Sequence, residues 1–280
     1  MKKSLSTVLL AGFAIGVTIA TPIQAWWSKQ TKVSCRVKIK GKEGFLPATL
    51  EQCMTYDNDT TIVRSHAFIK NLTSKDFIGK NLLIQEDASL DGLLIENQEL
   101  DSVIVESFFH LNEAQFKDSH IKEMRFRADG GGYWQDCTLS NVKIDTLANV
   151  LWINRAVFEK SFIGNINIFD GYYGGVHFLD VVFTGSNNFK WTRFGNGSFK
   201  GCSVDKDGSI VFDGCHFEEI DFHHSFDFSD VTFKNCTFID RYGCAIELNF
   251  SMKKMDSRML YMLLTQKNEQ ARKEFIKHVS

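Results

Sequence analysis

Cysteines, histidines and a short set of aromatic and basic residues carry the chemistry open to this chain. Cys35 and Cys53 lie in one amino-terminal segment, where an oxidising compartment would join them as a disulfide. His216, His223 and His224 stand among Asp213, Asp221 and Asp227, donor types that a divalent metal takes. Most of these positions fall beside Phe217 and Phe222 and spread over a turn, so they read as a solvated corner, and no metal ligand is assigned. The sequence has no Cys-x-x-Cys, no Gly-x-Ser-x-Gly, no phosphate loop and no His-Glu-x-x-His. Carboxylates are plentiful, but no spacing singles out a pair. The chain therefore reads as a non-enzyme, with no catalytic residue and no cofactor. The more informative set is Trp152, Tyr172, Arg193 and His216. Each directly precedes an apolar residue of a regular series, and aromatics beside arginine are the residue types of a recognition surface. Trp191 lies near the same edge.

The series that must position these residues repeats every fifth residue. It runs through Leu90, Ile95, Leu100 and Val105, then Leu111, Phe116, Ile121 and Phe126. It returns at Ile153, Phe158, Ile163, Ile168, Tyr173, Phe178 and Phe183. After one-residue slips it continues at Phe189, Phe194, Phe199 and Val204, then Phe212, Phe217 and Phe222, and last Phe228, Phe233 and Phe238. On an α-helix five residues advance about 140° past a full turn, so the apolar set would spiral around the surface. On a flat strand an odd step alternates faces. The beat makes sense only if the backbone itself turns once per unit, as in a solenoid. Two residues before each centre stands a small, β-branched or apolar residue, such as Ala88, Ala114, Ala156, Val176, Thr192, Cys202, Cys215 or Cys236. Cys137, Cys202, Cys215 and Cys236 all occupy that slot and read as buried thiols. Gly130-Gly131-Gly132 reads as a loop between coils.

With units such as Ala-Ser-Leu-Asp-Gly at 88–92 and Asn-Cys-Thr-Phe-Ile at 235–239, residues 86–240 resemble the pentapeptide-repeat family. The second position often departs from that family's Asn or Asp, and Leu93, Phe109 and Met124 replace its small residue. The resemblance implies an all-β fold, a right-handed quadrilateral parallel β-helix with four pentads per coil. Ile168, Phe189, Phe212 and Phe233 should then stack in one inner column, and Tyr173, Phe194, Phe217 and Phe238 in the next. Phe158, Phe178, Phe199 and Phe222 should form the third, and Ile163, Phe183, Val204 and Phe228 the fourth. Neighbours in a column would be about 4.8 Å apart. Such ladders account for 25 Phe with only 2 Pro, because proline removes a ladder donor.

The ends read differently. Residues 1–25 form a bacterial Sec-type signal peptide on this reading: Lys2 and Lys3, an apolar Val8 to Ala20 too short to span a bilayer, then Ile23-Gln24-Ala25 before Trp26. Residues 26–65 read as an amino-terminal cap, with a half-exposed strand in which Val33, Cys35, Val37 and Ile39 alternate with basic residues, and a short helix from Pro47 to Met54. Residues 66–245 form the β-helix. Residues 246–280 read as a carboxy-terminal helical cap, with Met255, Met259, Met262, Leu263, Phe275 and Ile276 on one amphipathic face. Capping the last coil is that face's simplest role, and homodimerisation through the helix is its functional alternative.

The expected localisation is periplasmic or secreted, with a protein partner of unknown identity and no stable membrane insertion. A net charge of −2 gives no generic grip on nucleic acid. Some pentapeptide-repeat proteins mimic duplex DNA, but an exported, nearly neutral chain fits that poorly. The leading reading is an exported, non-enzymatic scaffold or protein-binding module. The alternatives are a carbohydrate-active β-helix enzyme and a secreted virulence effector that binds a host protein. A tight coil of four pentads leaves no cleft for the enzyme.

Overall fold

The five-residue beat is the wall of a parallel β-solenoid. A computed structural model describes residues 33–38, 44–106, 111–127, 133–239, 243–266 and 269–279. The signal-peptide reading, Ile39 and the triglycine loop lie outside the described residues. Strands pair in parallel one coil apart on four sides: Ile153 with Tyr173, Phe158 with Phe178, Ile163 with Phe183 and Ile168 with Phe189. Three of the four expected columns form. Phe189, Phe212 and Phe233 are in register, with ring centroids 5.2 and 4.9 Å apart. Tyr173, Phe194, Phe217 and Phe238 follow at 5.2, 5.1 and 4.7 Å. Phe158, Phe178, Phe199 and Phe222 follow at 4.8, 4.8 and 5.2 Å. Offset stacking of this kind adds to the hydrophobic gain of burying each ring.

Many corners are made by one residue in the left-handed region, two positions after a centre, and the stretch from Ile153 to Phe183 shows this at every corner. Arg155, Lys160, Asn165, Asp170, Gly175, Asp180 and Gly185 all have φ between 47° and 65°. That conformation is cheapest for Gly, Asn and Asp, which is why these types recur there. The slip between Phe183 and Phe189 is absorbed by Asn187, which is fully buried. Its Oδ1 accepts from the Ile166 N–H at 3.2 Å, and its Nδ2 donates to the Thr184 carbonyl at 3.0 Å. A buried amide satisfied on both sides can replace the small apolar residue of that slot.

The fourth column departs from expectation. Ile163 and Phe183 are buried and Val204 is half-buried, but Phe228 is 61% exposed. Phe226 takes its place, 1% exposed, with its ring 5.8 Å from Phe183 and 5.4 Å from Phe199. His224, Phe226 and Phe228 all have positive φ, so the chain is shortened at this corner and swings Phe226 inward. Ser225 fills the small slot and its Oγ accepts from the Cys202 N–H at 3.0 Å.

At the amino end Ser34–Lys38 pairs antiparallel with Phe45–Ala48 on one side and Ala67–Lys70 on the other. Pro47 thus lies in an edge strand, where its missing N–H is tolerated, rather than opening a helix. The helix that follows, α1, is Leu50–Cys53, with a capping box between Thr49 and Gln52. Parallel pairing begins at Thr60–Val63. At the carboxy end Ala245–Ser251 is a strand, not helix, and pairs antiparallel with Val231–Ile239. Its alternation of Ile246, Leu248 and Phe250 with Glu247, Asn249 and Ser251 is the period-two signal of a half-buried strand. Two helices follow, α2 (Ser257–Thr265) and α3 (Glu269–Val279). Met255, Leu260 and Leu263 are buried, whereas Met262 is 63% exposed. No helix among the described residues is long and apolar enough to cross a membrane.

Candidate binding face

One side of the solenoid carries Trp152, Tyr172, Arg193 and His216 in a single outward column. Their inward neighbours Ile153, Tyr173, Phe194 and Phe217 are core residues, so strand alternation turns these four outward, with Trp152, Tyr172 and Arg193 exposed and His216 half-buried. Trp152 pairs with Tyr172, Tyr172 with Arg193, and Arg193 with His216. Trp152 and Tyr172 are 48% and 41% exposed, with rings 5.6 Å apart. Tyr133, one coil earlier, extends the set and stacks on Trp152 at 6.4 Å. The column was readable there too, because Tyr133 directly precedes the core residue Trp134.

The stack ends at Tyr172 for a geometric reason. The neighbouring outward column holds Gly174 and Gly195 side by side. The Tyr172 ring lies across Gly174, where a Cβ would come 2.8 Å from its Cε1, whereas a Cβ on Gly195 would meet open space. The next residue in the aromatic column, Arg193, is exposed, and its guanidinium has no partner among the described residues. The face thus offers ring edges, a bare backbone step and a free cation.

Around the preceding corner lies a second aromatic group. Trp191, 52% exposed, sits 4.7 Å from Phe169, and Lys190 Nζ lies 5.0 Å from the Trp191 ring centroid. Trp191 has φ of 53°, a conformation unfavourable for a bulky residue, and its ring rests on Gly214, where a Cβ would collide with it. Phe169 and Lys190 follow the centres Ile168 and Phe189 by one residue and share one column.

The histidine corner supplies no metal geometry. His223 and His224 rings touch each other, with centroids 4.2 Å apart. Asp221 pairs with Lys200 at 3.5 Å, and Asp227 Oδ1 accepts from the Ser257 N–H at 2.6 Å. Among the described residues no three of His, Cys, Asp and Glu converge on an ion-sized site.

Cys35 and Cys53 are free thiols in this structure, not a disulfide. They nevertheless lie close enough to perturb each other: burial raises the Cys35 thiol and the adjacent Cys53 side chain offsets part of that rise, while Cys53 Sγ donates to the Arg36 carbonyl at 3.6 Å. Burial, and then the neighbouring Cys35, push the Cys53 thiol up to about 11. Cys137 and Cys202 are pushed up by burial to about 12 and about 11. Cys215 is raised first by its hydrogen bond to Cys236 and then by burial. Thiols held protonated and buried are poor nucleophiles.

No family model and no curated protein matches the chain. Among solved structures it is similar to a trypsin-treated variant of QnrB1, a plasmid-mediated fluoroquinolone resistance protein, at 12% identity over 52% of this chain and 91% of that one, with a TM-score of 0.18. At that score the fold assignment rests on the strand pairings of this chain itself.

Proposed function

We propose that this chain is an exported, non-enzymatic member of the pentapeptide-repeat family that binds a protein partner through the face bearing Trp152, Tyr172, Arg193 and His216. The observation that carries the reading is the outward stack of half-buried Tyr133 on exposed Trp152 and Tyr172, which ends beside Arg193, a residue with no side-chain partner among the described residues. Large aromatics left half in water, next to a free guanidinium, are the residue types that dominate binding energy at protein interfaces. Trp191, kept in an unfavourable backbone conformation at the adjacent corner, points the same way.

The test is affinity capture with the full chain from periplasmic extract and, separately, from culture medium. The double variant Trp152→Ala/Tyr172→Ala should lose a partner that the wild type retains. Its unfolding free energy should change by no more than about 1 kcal/mol per site, as for exposed positions generally. A capture pattern identical for both proteins would refute the face as the binding surface. Capture from medium but not periplasm would favour a secreted effector over a periplasmic scaffold.

Export also sets the fate of the paired thiols. In an oxidising compartment Cys35 and Cys53 would form a disulfide, giving up two protons and two electrons to the compartment's thiol oxidant. Non-reducing peptide mapping of protein recovered from periplasm should find that crosslink. Alkylation before unfolding should reach the exposed Cys244 and spare Cys137, Cys202, Cys215 and Cys236. Recovery of Cys35 and Cys53 as free thiols from the periplasm would contradict the pairing.

A further inference from the structure

A groove at the carboxy-terminal end of the solenoid has a different chemistry from the aromatic face. It lies between the corner at residues 220–224 and helix α2, with a volume of about 720 Å³. That falls within the roughly 300–1,000 Å³ of small-molecule sites. The helix is capped by Asp256 Oδ1, which accepts from the Met259 N–H at 2.8 Å, and is fixed there by the Ser257 N–H to Asp227 Oδ1 bond and by the buried Leu260 and Leu263. The floor is apolar: Phe222 and Leu260 are buried, and Leu264 follows Leu260 one turn along the helix. The rim is basic and polar: His223, His224 and Arg258 line it and are exposed. Arg258 has no carboxylate partner among the described residues, and the one acidic residue of the lining, Asp221, is paired with Lys200 at 3.5 Å.

We propose that this groove binds a soluble amphipathic carboxylate, a single aliphatic chain ending in one carboxylate group. The chain would lie on Phe222, Leu260 and Leu264, where apolar surface is removed from water on binding. The carboxylate would accept from the Arg258 guanidinium in a charge-assisted pair, with ring N–H donors of His223 and His224 within the same rim. Charge complementarity selects an anion, since the free charge at the rim is positive. Recessed geometry selects one chain over a bilayer, because Phe222 and Leu260 sit too deep to insert into a membrane surface. The site is independent of the aromatic face and stands or falls separately from it.

Dansyl-undecanoate titrated against the full chain reads out the site directly. The expected result is a saturable blue shift with one site per chain, reversed by decanoate and not by an equal concentration of decanol. Arg258→Glu, an exposed position, should weaken binding by about tenfold or more, the scale of one charge-assisted hydrogen bond. Leu264→Glu should do the same through the floor. Trp152→Ala/Tyr172→Ala should bind the probe with unchanged affinity, which separates this site from the partner face. The proposal is overturned if no saturable shift occurs, if decanol competes as well as decanoate, or if Arg258→Glu binds like wild type, which would move the probe to another apolar segment. Binding only to phosphatidylglycerol vesicles, with no response to free decanoate, would also overturn it in favour of a membrane surface.

Discussion

Phe217→Ala is expected to lower the unfolding free energy by about 3–5 kcal/mol, the range for truncating a large aromatic in a packed core. The residue is 2% exposed, stacked between Phe194 at 5.1 Å and Phe238 at 4.7 Å. It also meets Phe212, Phe222 and Phe233 from the adjoining columns at 5.3, 5.7 and 5.7 Å. The coils above and below are hydrogen-bonded to its own, through Phe194 on one side and Phe238 on the other. They cannot close the gap without breaking a ladder, so the cavity persists and the penalty sits at the upper end. Trp152→Ala, on the same side of the solenoid but turned to solvent, should stay within about 1 kcal/mol. Urea melts of the two variants decide the matter. Comparable losses would mean that the inward and outward columns are misassigned.

That contrast was readable from sequence because a solenoid assigns one environment to each slot of its unit. Once the beat is fixed, Phe217 must face in and Trp152 must face out. The corner rule was half-visible: Asn, Asp and Gly after the centres marked polar turns, and the backbone shows that where a corner uses the left-handed region, as throughout the stretch from Ile153 to Phe183, the residue two after the centre supplies it. Where the period breaks, spacing alone could not choose. Phe222, Phe226 and Phe228 offer three rings near one coil, and a uniform count selects Phe228. The backbone selects Phe226, partly because the Phe228 N–H donates to the Met255 carbonyl at 3.2 Å, a contact with a segment outside the repeat. Periodicity carries no information about such contacts.

The candidate sites divide along the same line. The outward column was legible, since its members share a slot, and Tyr133 belongs to it by the same logic. The groove beneath α2 was not. Phe222 belongs to the repeat, but Arg258 and Leu264 come from the helix beyond it, and their approach depends on the shortened corner and the Ser257–Asp227 bond. The strand Ala245–Ser251 was hidden for a different cause: it follows the last pentad directly, and its two-residue alternation is brief beside the five-residue pattern. It also reverses direction, closing with antiparallel bonds an edge that would otherwise recruit another chain.

Gly197→Ala should destabilise the solenoid by about 2–4 kcal/mol, although it adds only one methyl group. Gly197 holds the inward small slot that Ala156 and Val176 hold in the two preceding coils, as the pairing of Val157 with His177 and of His177 with Ser198 fixes. A Cβ at Gly197 would fall onto the Val176 carbonyl oxygen. That oxygen is the acceptor of the Ser198 N–H at 3.0 Å, and the Gly197 carbonyl in turn accepts from Asp221 N–H at 3.2 Å. The methyl can be accommodated only by moving a coil, which combines an overpacking cost of about 1–3 kcal/mol with the weakening of a ladder hydrogen bond worth about 1 kcal/mol. Gly195→Ala supplies the control two positions away. A Cβ there meets open space, and Gly195 is not among the positive-φ residues. Its expected effect has the opposite sign, a gain of about 0.4–1 kcal/mol from reduced freedom of the unfolded chain. Thermal melts of the two single variants therefore test the backbone path of one strand at two neighbouring slots. A loss at Gly195 or tolerance at Gly197 would place the strand in the wrong register relative to the coil before it.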